Sequence, residues 1–390
     1  MYLTREEERI YDGEMGWAYQ VSMRILVKLG ELYGASRLIP IESAHISGVS
    51  YKTVGDAAIE FLRALSESNG RVKVRATINP SGVDQDRILS NILPSDLVNR
   101  QMEIVRLYEE IGATLTLTCT PYYIETPKSG AHISWAESSA VIYANSIIGS
   151  WTNREGGPSA LASALIGKTP DYGLHRPENR QPSVLVKVEA KLNSEADYGA
   201  LGLYLGRILG EKIPLIQGLP GAGETDLKQM GAAMATSGMV PMFHIDRIGR
   251  SAGGIEKITV DERDIIKTRL DLSTSSGRPD LVFIGCPHCS PNEIRLVSEL
   301  IRGRRVRSDV RLWICTSNFI REKMSEHARI IESAGGRVMC GTCAVVTWLK
   351  NLGVETIMTN SAKTAYYARL LDGVGVIFAP ISECINVACQ

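Results

Sequence analysis

GRPDLVFIGCPHCS, residues 277–290, reads as a turn, an apolar strand and a second turn dense in chemistry. Val282–Gly285 is the strand, and a helical pattern follows over 291–303. Cys286, His288 and Cys289 therefore stand at the carboxyl end of a strand, where ligand sites of open α/β folds gather. Working outward, the same alternation recurs. Downstream come strands at Val310–Thr316, from Val338, at Thr356–Thr359 and at Val376–Ala379, with a helix over 318–335. Upstream, Thr4 and Glu7 form a capping box that opens a helix over 4–12. Helices are predicted over 16–33, 53–68, 95–112, 137–149, 197–210 and 224–237, with a mixed stretch over 255–270. Strands are predicted at Arg37–Ile41, Val72–Ile78, Thr114–Thr118, Ser183–Val188 and Pro214–Ile216. This pattern indicates layered α/β/α domains with mostly parallel sheets.

Two stretches rich in Pro and Gly, Gly167–Pro182 and Ser273–Pro279, suggest boundaries. They divide the chain into an N-terminal region (1–170), a middle region (171–272) and a C-terminal region (273–390). Lysine plus arginine number 43 and aspartate plus glutamate 43, a balance that argues against a broad basic surface for nucleic acid. No apolar run approaches the roughly 20 residues that span a bilayer. The polar opening MYLTREEER is no secretory segment, so a cytoplasmic protein is expected.

Eight cysteines in such a chain point to metal or iron–sulfur ligation rather than disulfides. Cys119 lies in TCTPYY, Cys286 and Cys289 in GCPHCS, Cys315 in WICTSN, and Cys340 and Cys343 in MCGTC. The C-terminal region holds every cysteine but Cys119, so a cluster using Cys119 would form between domains. The two Cys-x-x-Cys pairs could instead make a structural zinc site or a redox dithiol. A second candidate segment is WAESSAVIYANSIIGSWTNREGG (135–157), with Glu137, Asn145, Ser146, Thr152, Asn153 and Arg154. Its last three suit a carboxylate or phosphate, and Asn145, among apolar neighbours, needs partners or a ligand. In ESAHISGVS (42–50), His45, Ser47, Gly48 and Ser50 could line a pocket. GLPGAGE (218–224) reads as a tight turn more readily than as a phosphate loop, since it is neither a Walker motif nor G-x-G-x-x-G.

These motifs together resemble the large subunit of the aconitase X family, in the aconitase superfamily of iron–sulfur hydro-lyases. The resemblance runs end to end through LTREEERIYDGEMG, LIPIESAHISG, CTPYY, SSAVIYANSIIGSWTNREGG, GRPDLVFIGCPH, GTCAVV and NSAKTAYYA. It implies an aconitase-like fold and a [4Fe–4S] cluster on Cys119, Cys286 and Cys343, with Cys289 and Cys340 as alternates. Three thiolates leave one iron open. The archaeal branch implies dehydration of (R)-mevalonate 5-phosphate to trans-anhydromevalonate 5-phosphate, and other relatives act on cis-3-hydroxy-L-proline. It also implies a separate small swivelling-domain subunit carrying the serine base. For such a reaction His45 and His288, which could polarise the hydroxyl or protonate leaving water, and Ser50 are the expected catalytic groups. Ser47, Gly48, Glu137, Asn145, Ser146, Thr152, Asn153, Arg154 and Lys363 are the expected substrate contacts.

Overall fold

A computed structural model describes residues 1–246 and 254–390. Residues 247–253, in the expected middle region, lie outside the described residues. The chain divides into two compact units, one of residues 1–82 and 94–181, the other of 83–93 and 182–390.

The first unit runs α1 (Arg5–Asp12), α2 (Trp17–Leu32), β1 (Leu38–Pro40), β2 (Ser43–Ile46), α3 (Tyr51–Glu67), β3 (Arg75–Ile78), α4 (Ser95–Glu110), β4 (Ser134–Trp135), α5 (Ser138–Tyr143), α6 (Gly157–Ile166) and β5 (Lys168–Pro170). The Thr4–Glu7 capping box is present at α1. A parallel sheet in the order β3-β2-β4 puts β2 at its centre. Ile46, Leu62, Leu65, Ile78, Ile104 and Leu165 fill the core around it.

The segment 42–50 contains strand β2, whose Ala44, His45 and Ile46 are buried, with Ala44 and His45 paired on both sides. One sequence expectation fails here. The expected strand Thr114–Thr118 does not form. Thr114 makes one bridge to Thr77, then Leu117 takes a positive φ of 45° and turns the ladder away.

The second unit runs β6 (Val184–Val188), α7 (Glu195–Leu209), β7 (Pro214–Gln217), α8 (Glu224–Ser237), β8 (His244–Ile245), β9 (Glu256–Val260), α9 (Glu262–Leu272), β10 (Leu281–Ile284), α10 (Pro291–Ile301), β11 (Arg311–Thr316), α11 (Asn318–Lys323), α12 (Ser325–Ser333), β12 (Arg337–Cys340), β13 (Thr356–Thr359), α13 (Ala362–Tyr367), β14 (Gly375–Phe378) and α14 (Ile381–Ala388). Two parallel sheets result, in the orders β8-β7-β6-β9 and β12-β11-β10-β13-β14. Strand β10 lies at the centre of the larger, and all four of its residues are buried, as an apolar strand covered on both faces should be. Gly202 of α7 faces the Met230 carbonyl of α8 with no room for a Cβ, which sets how closely these helices pack.

Candidate active site

Strand β10 delivers the GCPH loop. Gly285 has a φ of 122°, and a Cβ there would overlap the Cys315 carbonyl, so only glycine lets the chain leave the strand this way. The loop is then clasped by neighbours. The Cys289 amide donates to the Cys315 carbonyl at 2.8 Å, and the Thr316 hydroxyl to the Cys289 carbonyl at 2.8 Å. His288 is fully buried, and its Nε2 meets the Thr342 carbonyl at 3.0 Å. That bond ties the Cys286 loop to the loop bearing Cys343.

A buried ion pair supports the same loop from below. Lys228 of α8 pairs with Glu293 of α10, both side chains almost wholly excluded from water. Lys228 Nζ also donates to the His288 carbonyl at 3.2 Å, and Glu293 accepts from the Ser290 amide at 2.8 Å. Two charges thus orient the backbone at His288 and Ser290.

Cys286 and Cys343 sense one another. Burial first, then Cys286, pushes the Cys343 thiol up to about 12, while Lys363 pulls it back. Lys363 stands in the first turn of α13 at the carboxyl end of β13 and is itself buried. Cys340 belongs to a different neighbourhood. Burial also pushes it up to about 12, but its charged neighbours are Arg321, Asp86, Glu332 and Asp84. Cys289 is raised by burial, then by Glu293, and it too senses Cys286. The hydroxyl of Thr342, Oδ1 of Asn360 and the hydroxyl of Thr364, at the carboxyl ends of β12 and β13, are buried and make no hydrogen bond. Buried polar atoms of that kind are places for a ligand.

None of the eight cysteines forms a disulfide. Among the described residues no three His, Cys, Asp or Glu side chains gather closely enough for a single metal ion. The thiols of the two Cys-x-x-Cys pairs all lie in the second unit. An iron–sulfur cluster spaces its thiolates more widely, so the same finding does not bear on it. Soft, buried thiols on loops at the carboxyl ends of strands fit such a cluster.

The first unit gathers a second set of groups. His45, central on β2, has both ring nitrogens engaged: Nδ1 with the Thr77 hydroxyl at 2.7 Å and Nε2 with Asn79 Oδ1 at 2.8 Å. Asn79 Nδ2 donates to Glu137 Oε2 at 2.6 Å. Glu137, the N-cap of α5, accepts from the Ser139 hydroxyl at 2.8 Å through its other oxygen. With the amide so oriented, His45 Nε2 carries the proton. Burial lowers the His45 pKa to about 4, Asn79 and Glu137 opposing it in part, so the ring is neutral at neutral pH. Cys119 is buried on the connection between α4 and β4, between Thr118, whose amide donates to the Ile78 carbonyl, and the Tyr122 ring stacked on Tyr143 of α5.

The other expected contacts are distributed as follows. Asn145 spends its amide on protein: Nδ2 donates to the Thr152 carbonyl at 2.9 Å, and Oδ1 accepts from the Thr152 amide and from Arg180. Asn153 is likewise held, donating to the Tyr172 carbonyl and accepting from the Leu174 amide. Ser146 and Arg154 are half-buried, and Thr152 is buried with its hydroxyl on the Asn153 carbonyl. Ser47 and Gly48 line an apolar cavity of about 410 Å³ with Phe61 and Tyr108, and Ser50 caps α3 through its backbone. GLPGAGE is a turn at the start of α8, where Asp226 accepts from the Gly223 amide.

Four supporting groups escaped the sequence reading. Gln101 clamps the 49–51 segment through two backbone bonds and takes a third from the Gly82 amide, Asn79 links His45 to Glu137, and Arg180 stacks on Trp151 while holding Asn145 and Ser150. The Lys228–Glu293 pair is the last. Each works across many residues of sequence, and no local pattern marks it.

Family models for the aconitase X first, second and third domains match residues 1–178, 182–270 and 279–390. The chain belongs to the aconitase X family. Within the family it is 45% identical to the phosphomevalonate dehydratase large subunit of Methanothermobacter thermautotrophicus, over 97% of this chain and 96% of that one. It is 43% identical to the protein of the same name from Methanosarcina mazei, over 100% and 97%. The cis-3-hydroxy-L-proline dehydratase of Pseudomonas aeruginosa is 34% identical over 98% of this chain, which spans 69% of that relative. A crystal structure of Thermococcus kodakaraensis aconitase X in its holo form superposes with a TM-score of 0.92, at 41% identity and full coverage of both chains. Among the described residues, no helix is long and apolar enough to cross a membrane.

Proposed function

We propose that this chain is the cluster-bearing large subunit of a cytoplasmic hydro-lyase that converts (R)-mevalonate 5-phosphate to trans-anhydromevalonate 5-phosphate, a step of isoprenoid biosynthesis. The observation that carries this reading is the end-to-end likeness to phosphomevalonate dehydratase large subunits, at 45% identity. The hydroxyproline dehydratases, at 34%, are more distant and longer than this chain.

In this reading Cys119, Cys286 and Cys343 hold a [4Fe–4S] cluster. When bound, the cluster supplies an iron without a protein ligand, a Lewis acid that makes the tertiary hydroxyl a better leaving group. The chain's own residues bind and orient. Lys363, whose charge acts on the Cys343 thiol, and Arg154, half-buried after the Asn145 staple, take the carboxylate and phosphate of the substrate. Neutral His45 is better suited to fixing Asn79 and Glu137 than to donating a proton. Glu137, held through both oxygens, faces that network as a proton-accepting or substrate-orienting group. His288 holds the two cysteine loops at a fixed separation. The base that removes the proton next to the carboxylate belongs to a separate small subunit.

The test is dehydratase activity of the anaerobically prepared chain, alone and with a small subunit of the same family. Turnover of (R)-mevalonate 5-phosphate is expected only with both. Full activity of the chain alone would remove the second subunit from the reading. Preference of the complex for cis-3-hydroxy-L-proline would remove the substrate.

A further inference from the structure

The segment IRGRRVR, residues 301–307, played no part in the site. Helices α10 and α12 end beside it, and the turn 302–305 closes a cavity of about 760 Å³ between their carboxyl ends. Arg302, Arg304, Arg305 and Arg329 line this cavity, and Glu326 is the one carboxylate among its walls. The neighbouring arginines are spoken for, Arg307 by Asp309 and Arg295 by Glu299. Among the described residues the four lining guanidiniums are in no ion pair. Two are braced from behind: Arg304 donates to Asn386 Oδ1 at 2.8 Å, and Arg329 Nε to the Ser325 carbonyl at 3.4 Å. Each brace uses one donor and leaves the rest of the fork open.

Arginines at helix carboxyl ends have a simpler use, since they complement the dipole. Two helix ends carry roughly one negative charge between them. Four guanidiniums and one carboxylate give a net of three positive charges in the cavity walls. A surplus of about two positive charges therefore remains after the dipoles are answered. In a chain whose formal net charge is zero, such a concentration repels itself and calls for an anion. A carboxylate supplies one charge and two acceptor atoms. A phosphoryl group supplies more of both, and planar forks match its oxygens in pairs.

We infer that this cavity binds a small anion bearing a diphosphate or longer polyphosphate group. Helix α10 separates it from the GCPH loop, because the helix starts at that loop and ends at the cavity, ~16 Å away by helix rise. It is thus a site apart from the cysteines of the GCPH loop.

The test uses the full chain, with inorganic pyrophosphate as the probe, followed by calorimetry at fixed ionic strength. One saturable site per chain is expected, with inorganic phosphate binding more weakly. Arg302→Ala with Arg305→Ala should weaken binding about tenfold or more while leaving thermal stability unchanged, since both side chains are exposed. Arg302→Lys with Arg305→Lys keeps the charge but loses the forks, and should fall between. Arg154→Lys, on the first unit, should bind pyrophosphate as the natural chain does. Absence of saturable binding, equal affinity in the double alanine variant, or loss of binding in Arg154→Lys would each overturn the assignment.

Discussion

An imidazolium at position 45 would sit out of reach of water, among Thr77, Asn79 and the Thr118 backbone. Its folded pKa, about 4, lies below the ordinary value near 6.5. The sign follows directly. Between these two values the unfolded chain binds a proton that the folded chain refuses. The neutral ring's contribution is therefore intact above about pH 6.5 and is lost as the pH falls toward 4. The full difference corresponds to about 3 kcal/mol. Denaturant unfolding at pH 7 and at pH 4.5 should show wild type losing more stability than His45→Asn on acidification. Equal losses would mean that the ring is already protonated in the fold. Asn145 offers a second lesson at this scale. A buried amide on an apolar helix signalled a need for partners, and the need is met by Thr152 and Arg180, residues 7 and 35 positions away.

At the level of elements, the capping box at α1, the apolar run of β10 and the turns around the cysteines were legible because each is local. Strand β2 was not, since a histidine in a four-residue strand looks like a loop until Thr77 and Asn79 are brought beside it. The run Thr114–Thr118 misled in the opposite direction. Its alternation of threonine and leucine is that of a strand, but the chain turns at Leu117 before a ladder can form. The Lys228–Glu293 contact joins α8 to α10 across 65 positions, so no window of sequence contains it. Lys228→Met should destabilise the protein by about 3–5 kcal/mol, because it strands a carboxylate in the interior. Lys228→Met combined with Glu293→Gln should recover part of that loss in chemical denaturation. If the single and double variants unfold alike, the pair is not coupled as drawn.

For the whole molecule, the cysteines carry the sharpest expectation. Cys119→Ser, Cys286→Ser and Cys343→Ser should each lose iron, sulfide and visible absorbance after anaerobic preparation, whereas Cys315→Ser and Cys389→Ser should keep all three. Iron retained by Cys119→Ser would take that residue out of the ligand set. The two-unit division has a further consequence. Residues 83–93 come early in the chain but belong to the second unit, where Asp86 pairs with Arg321 and the Gln85 amide donates to the Cys340 carbonyl at 2.9 Å. On the ribosome this segment leaves the exit tunnel long before its partners exist. At 5–20 residues per second, the wait for some 250 further residues is on the order of 10–50 s. The second unit therefore cannot close around this segment until translation is nearly complete.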